Sequence, residues 1–236
     1  MEYVTDNWVV AGNLVCAPDP ASIQALEDIK TALLFAQMKA DVRCPLQRSS
    51  AQWFAEYNKA LIALKWLGTG IEGQSFEPGD EDILTIESII GRFLLNDLAP
   101  AHAEHVTRAL ACLSGSPEAR AQALFKRFTV FHPPVEEYAH QASNATGSLA
   151  LLISVLLPDQ VVKYLWLTFM TTAAWVENFL QQPFTGAQLT GAVQARVFQR
   201  TWNAAGYARV RATVEKYLAD RPAEMILPLA CSEAPD

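Results

Sequence analysis

Residues 149–176 are almost continuously apolar, and Leu157-Pro158-Asp159-Gln160 interrupts them midway. Proline presets the φ of a turn and aspartate bonds its own neighbouring backbone, so the break predicts a tight reversal between two arms. The second arm, residues 161–169, is dense in β-branched and aromatic side chains, which suit a pleated, buried surface better than a helix. Two paired strands are expected. Read instead as a helix, the uncharged run 164–176 would reach only about 20 Å, against roughly 30 Å of bilayer hydrocarbon. A third strand is predicted where Val193, Ala195 and Val197 alternate with Gln194, Arg196 and Phe198, its polar side turned to solvent.

The first half carries the helical period instead. Leu26, Ile29, Leu33, Ala36 and Ala40 form one stripe in a helix that should end before Pro45. Ser49 and Gln52 have the spacing of a capping box, opening a second helix with Trp53, Tyr57, Leu61 and Leu64 on one face and Gly68 as its stop. A third helix is predicted to start at Asp80-Glu81-Asp82, where negative charge complements the helix dipole, and to bury Ile83, Ile86, Ile90 and Phe93. Val106, Leu110 and Leu113 line a fourth. A fifth begins at Ser116-Pro117 and buries Leu124 and Phe128. A last helix starts at Asn203, with Tyr207, Val210, Val214 and Tyr217 on one face.

Helices followed by strands predict an α+β fold: N-terminal helices packed on a C-terminal antiparallel sheet, closed by a C-terminal helix. An all-α fold is the alternative. Residues 1–20 read as an N-terminal extension, 21–221 as a single globular domain and 222–236 as a loose tail.

Ala32-Leu33-Leu34-Phe35-Ala36-Gln37, followed by Trp53, Tyr57, Leu61 and Trp66, resembles a block in a group of small bacterial and fungal proteins without an assigned activity. Members of that group have Gly-Trp where this chain has Lys65-Trp66. The similar part covers about forty residues. The resemblance implies a soluble mixed α and β fold and supplies no catalytic residues.

Chemistry is sparsely signalled. Gly68-Thr69-Gly70-Ile71-Glu72-Gly73 has the letters of a dinucleotide loop, but it follows a helix and opens none, so it reads as a flexible turn. His102 and His105 share a helical face and read as exposed histidines near a helix start; His132 and His140 have no activated Ser or Cys beside them. Adjacent Glu136 and Glu137 read as surface charge. Cys16, Cys44, Cys112 and Cys231 lack ligand spacing and are expected to be reduced structural thiols, and Asn144-Ala145-Thr146 is given no weight as a glycosylation acceptor. No catalytic residue, cofactor or metal is expected. A net charge of −7 argues against nucleic acid as a partner. The N-terminus lacks a cationic start, so the expected location is cytoplasmic, or outside by a route without a signal peptide.

Two features point to association. Six basic residues lie within 196–221 in an otherwise acidic chain, and the tryptophans are too many to assign to one core. Together they nominate an interaction surface of Trp166, Trp175, Arg196, Arg200, Trp202, Arg209 and Arg211. The leading expectation is a noncatalytic, self-assembling or protein-binding molecule, a homo-oligomer in the simplest case. The alternatives are an effector or toxin meeting membranes peripherally through 147–176, and a small-ligand protein or enzyme with a dispersed site.

Overall fold

In the computed structural model, which describes residues 6–18, 22–68, 70–115, 119–132 and 145–229, the apolar run is a strand hairpin. Its arms are Gly147–Leu157 (β7) and Val161–Thr171 (β8), of 11 residues each, paired in unbroken antiparallel register from Gly147↔Thr171 to Leu157↔Val161. Asp159 and Gln160 take left-handed φ in the turn between them, a conformation that Asp and Asn reach more readily than most residues. The third predicted strand, Leu189–Thr201 (β10), pairs antiparallel with β8, with an irregularity between Thr190 and Gln194 where Gly191 has positive φ.

The fold is α+β, but its sheet is mixed rather than antiparallel throughout. Asn7–Val10 (β1) and Asn13–Cys16 (β2) form a hairpin, and β2 lies parallel to β7. The segment expected to be an extension is thus an interior part of the sheet, since Val9, Val10, Leu14 and Val15 are fully buried. Leu67–Gly68 (β3) and Glu72–Phe76 (β4) both border β10, so the glycine string read as a turn flanks and enters an edge strand instead; Thr69 lies outside the described residues. Ile83–Leu84 (β5) belongs to a separate two-stranded sheet, and Val130–Phe131 (β6) pairs with the start of β7. β5 pairs with Phe184–Thr185 (β9). At the other end Ile226–Pro228 (β11) adds to β1, so the near half of the predicted tail is ordered structure and residues 230–236 lie outside the description.

Helices cover both faces of the sheet. On one side lie Ile23–Arg43 (α1) and Ser50–Ala63 (α2), joined there by Ala204–Ala208 (α6) and Arg211–Leu218 (α7). Ser49 caps α2 as its spacing predicts, accepting from the Gln52 amide, and Ser22 does the same for α1 from Ala25. The single helix expected after Asn203 is broken into α6 and α7. On the other side lie Ile86–Phe93 (α3), Pro100–Gly115 (α4) and Ala119–Thr129 (α5). Two of the expected helix starts differ. Thr85, in a reciprocal capping box with Ser88, begins α3, while Asp80 and Asp82 serve the turn before it: Asp82 accepts from the Gly79 amide and the backbone carbonyls of both accept from 186–187. On α5 the buried face is Ala121 and Phe125; Leu124 and Phe128 are only half-buried, and Ser116-Pro117 lies outside the described residues.

The two helix layers give two cores, one per face, and each fully buried Leu or Ile in them contributes roughly 1.5–3 kcal/mol relative to exposure. His105 of α4 ties the second layer to the sheet margin, with Nε2 2.9 Å from Asn7 Oδ1. Burial lowers its pKa from the ordinary 6.5, outweighing the opposing influence of Asp6. The folded state therefore favours neutral imidazole: stability is full above about pH 6.5 and declines as pH falls through the lowered value. Thermal melts between pH 7.5 and 5 should show that decline, flattened in His105→Gln; equal slopes in the two proteins would refute it.

Candidate functional site

A sheet covered on both sides is expected to be apolar on both faces, and this one is not. The face toward α3–α5 carries Leu149, Leu151, Ile153, Val155, Leu165, Leu167, Phe169, Val193 and Ala195, all buried and apolar, and near the β7–β8 turn Lys163, whose ammonium bonds Asp97. Beneath α1 and α2, cross-strand register aligns Ser154 with Tyr164, Ala150 with Thr168, Leu152 with Trp166, Trp166 with Arg196 and Val162 with Arg200. Asn13 and Ser154 bond each other there in both directions, at 2.9 and 3.0 Å, with both side chains fully buried. The Arg200 guanidinium donates to Asn58 Oδ1 of α2 at 2.8 Å, and burial lowers its pKa. Tyr57 Oη, Tyr164 Oη, Trp66 Nε1, Trp202 Nε1 and Arg200 Nε are buried among the described residues without a protein hydrogen-bond partner. Burial pushes both tyrosine hydroxyls well above their ordinary pKa.

The nominated interaction surface does not assemble. Trp166, Trp202 and Arg200 are interior, at 3%, 2% and 6% exposure. Arg196 is half-buried, its guanidinium 5.0 Å from the centre of the Phe54 ring, so the side of β10 expected to meet solvent does so at Gln194 but is covered by α2 at Arg196 and Phe198. Arg211 donates to both carboxylate oxygens of buried Asp28, at 2.9 and 2.5 Å. Trp175 is half-buried among Phe169, Phe179 and Phe184. Arg209 remains exposed. The tryptophans are accommodated inside because the sheet has two cores, and Trp53, Trp66, Trp166 and Trp202 all fit in the first.

Two cavities open beside the sheet. One, of about 310 Å³, lies between the corner joining α1 to α2, the end of α5 and the start of β7. Its lining includes Asp41, whose Oδ1 accepts from Trp53 Nε1 at 2.6 Å. Burial raises the Asp41 pKa, and the indole bond opposes that rise. The other, of about 470 Å³, lies at the β7–β8 turn and is lined by Ile29, Leu156, Pro158, Val162 and Trp202, among others. No group of three or more metal-ligating side chains occurs among the described residues. His132 Nδ1 lies 2.8 Å from the Thr146 carbonyl, while His140, Glu136, Glu137 and Asn144 lie outside the described residues. Cys16 and Cys44 are free and buried, but Cys112 is disulfide-bonded, which corrects the expectation of four reduced thiols.

No family model and no curated protein matches this chain. Among solved structures it is similar to a delta-endotoxin, at 10% identity and a TM-score of 0.38, over 96% of this chain and 84% of the other. It is also similar to the Evf virulence factor, at 9% identity and a TM-score of 0.34, over 89% and 84% of the two chains. At these values the likeness transfers no function.

Proposed function

We propose that this protein is an effector or toxin that associates with membranes, with the β7–β8 hairpin of 147–176 and the adjoining β10 entering as strands after the helical layers move aside. The observation that carries the reading is the unequal polarity of the two sheet faces, since Ser154, Thr168, Arg196 and Arg200 are set among Leu152, Val162, Trp166 and Phe198 beneath α1 and α2. No helix among the described residues is long and apolar enough to cross a membrane, but β7 and β8 have 11 residues each and β10 has 13, against about 9–11 for a membrane-spanning strand. A spanning strand alternates apolar residues toward lipid with polar ones toward a lumen. Here the face toward α3–α5, apolar except toward the β7–β8 turn where Lys163 and Gln199 lie, supplies the first set, and Ser154, Thr168, Gln194, Arg196 and Arg200 contribute to the second.

Self-association belongs to the same reading. Three strands leave two open edges, and open edges are not tolerated in hydrocarbon, so several copies must close the sheet. An aromatic docking face on the folded monomer has lost its support, because the tryptophans nominated for it are buried or half-buried.

Dye-loaded vesicles, neutral and anionic, test the proposal. The expected result is dye release, brominated-lipid quenching of a tryptophan introduced by Phe169→Trp on the lipid-facing set in a variant whose native tryptophans are Phe, and cross-linkable oligomers in the membrane fraction. Absence of binding and release with both lipid compositions would overturn it.

A further inference from the structure

We infer that the cavity between the α1–α2 corner, α5 and β7 binds a phosphocholine group, the zwitterion of choline phospholipids. This deepens the membrane reading by naming the lipid chemistry recognised, and rests on it for the source of the ligand. At about 310 Å³ the cavity stands at the small end of ligand sites, and it has a distinct floor, wall and rim.

The floor is apolar and aromatic. Trp53 and Trp166, each 3% exposed, stack with centroids 5.1 Å apart, and Phe128 and Phe131 line the same space. The wall holds Asp41. One of its oxygens is occupied by the Trp53 indole, and the carboxylate has no ion-pair partner among the described residues. A part-buried carboxylate in a largely apolar lining favours a cation that is itself poorly hydrated and apolar in outline, as a trimethylammonium is. The rim holds Arg127, exposed, with its guanidinium 5.5 Å from the Phe128 ring centre and no ion-pair partner among the described residues. A guanidinium recognises phosphate through paired N–H donors.

The gradient of exposure, from buried Trp53 and Trp166 through half-buried Asp41 to exposed Arg127, matches the order of charges in the headgroup. Choline is the outermost group of the lipid and would enter first, toward Asp41. The phosphodiester follows it and meets Arg127 at the mouth, leaving the glycerol and acyl chains outside. A simple anion finds Arg127 as its cation in the lining and leaves Asp41 unmatched, and a simple ammonium gains little from the apolar floor.

Tryptophan fluorescence and calorimetry on the full chain, with free phosphocholine as probe, test the site. Saturable binding is expected, at least tenfold tighter than choline or inorganic phosphate alone. Asp41→Asn keeps an acceptor for the Trp53 indole, and should weaken phosphocholine at least tenfold while its thermal melt shows it folded. Arg127→Gln should weaken phosphocholine to about the level of choline. Vesicles of phosphatidylcholine should bind better than those of phosphatidylglycerol, and Asp41→Asn should abolish the difference. The site is overturned by no saturable phosphocholine binding, by equal affinity in folded Asp41→Asn, or by choline or phosphate binding as tightly. Its failure is separable from that of the membrane reading: phosphocholine binding without vesicle release would sink only the latter, and release indifferent to headgroup and to Asp41→Asn would sink only the former.

Discussion

Trp166→Ala is expected to destabilise the fold by about 3–5 kcal/mol, the range for removing a large aromatic side chain from a core that cannot collapse around the space. Trp166 lies in the middle of β8, stacks on Trp53 at 5.1 Å and on Phe54 at 5.6 Å, and is 3% exposed. Its neighbours belong to α2, so the loss falls on the contact between the first helical layer and the sheet. Urea unfolding followed by far-UV circular dichroism measures the change, with Trp166→Phe as a milder comparison. A loss below about 1 kcal/mol would mean that this layer is not held by the aromatic stack.

Asn13→Ala should cost about 2–3 kcal/mol, through a different mechanism. Asn13 and Ser154 satisfy each other across the parallel β2–β7 pair, and removing the amide leaves the Ser154 hydroxyl buried without that partner. Ser154→Ala in the same background should recover part of the loss, because the orphaned hydroxyl then disappears. Additive costs in the double variant, again by urea unfolding, would show that the two side chains do not act as a pair. The cycle also bears on the amphipathic sheet, since Asn13 and Ser154 are among the polar groups beneath α1 and α2.

The candidate site was hardly legible beforehand. Asp41 and Trp53 are 12 positions apart and Arg127 is far from both; only the corner between α1 and α2, folded against α5, brings them to one cavity. Nothing in their local spacing signals a ligand. The sequence points to Trp166 for a surface role, which its 3% exposure rules out.

Local patterning was a good guide where one element interacts mainly with itself or with one neighbour. The β7–β8 hairpin was readable because its turn chemistry and its β-branched content lie within a few consecutive residues. The start of α2 was readable because a cap is a contact three residues long. What depended on the assembled chain were the long-range matches: β1 and β2 entering the sheet, β11 joining β1, and the asymmetry between the two faces of β7, β8 and β10. Short strands of four residues or fewer carry too little periodicity to declare themselves, and a strand buried on both sides hides which of its faces is the polar one. Those features are settled by partners more than a hundred residues away, such as Ser154 for Asn13 and Asn58 for Arg200, so no local window contains them.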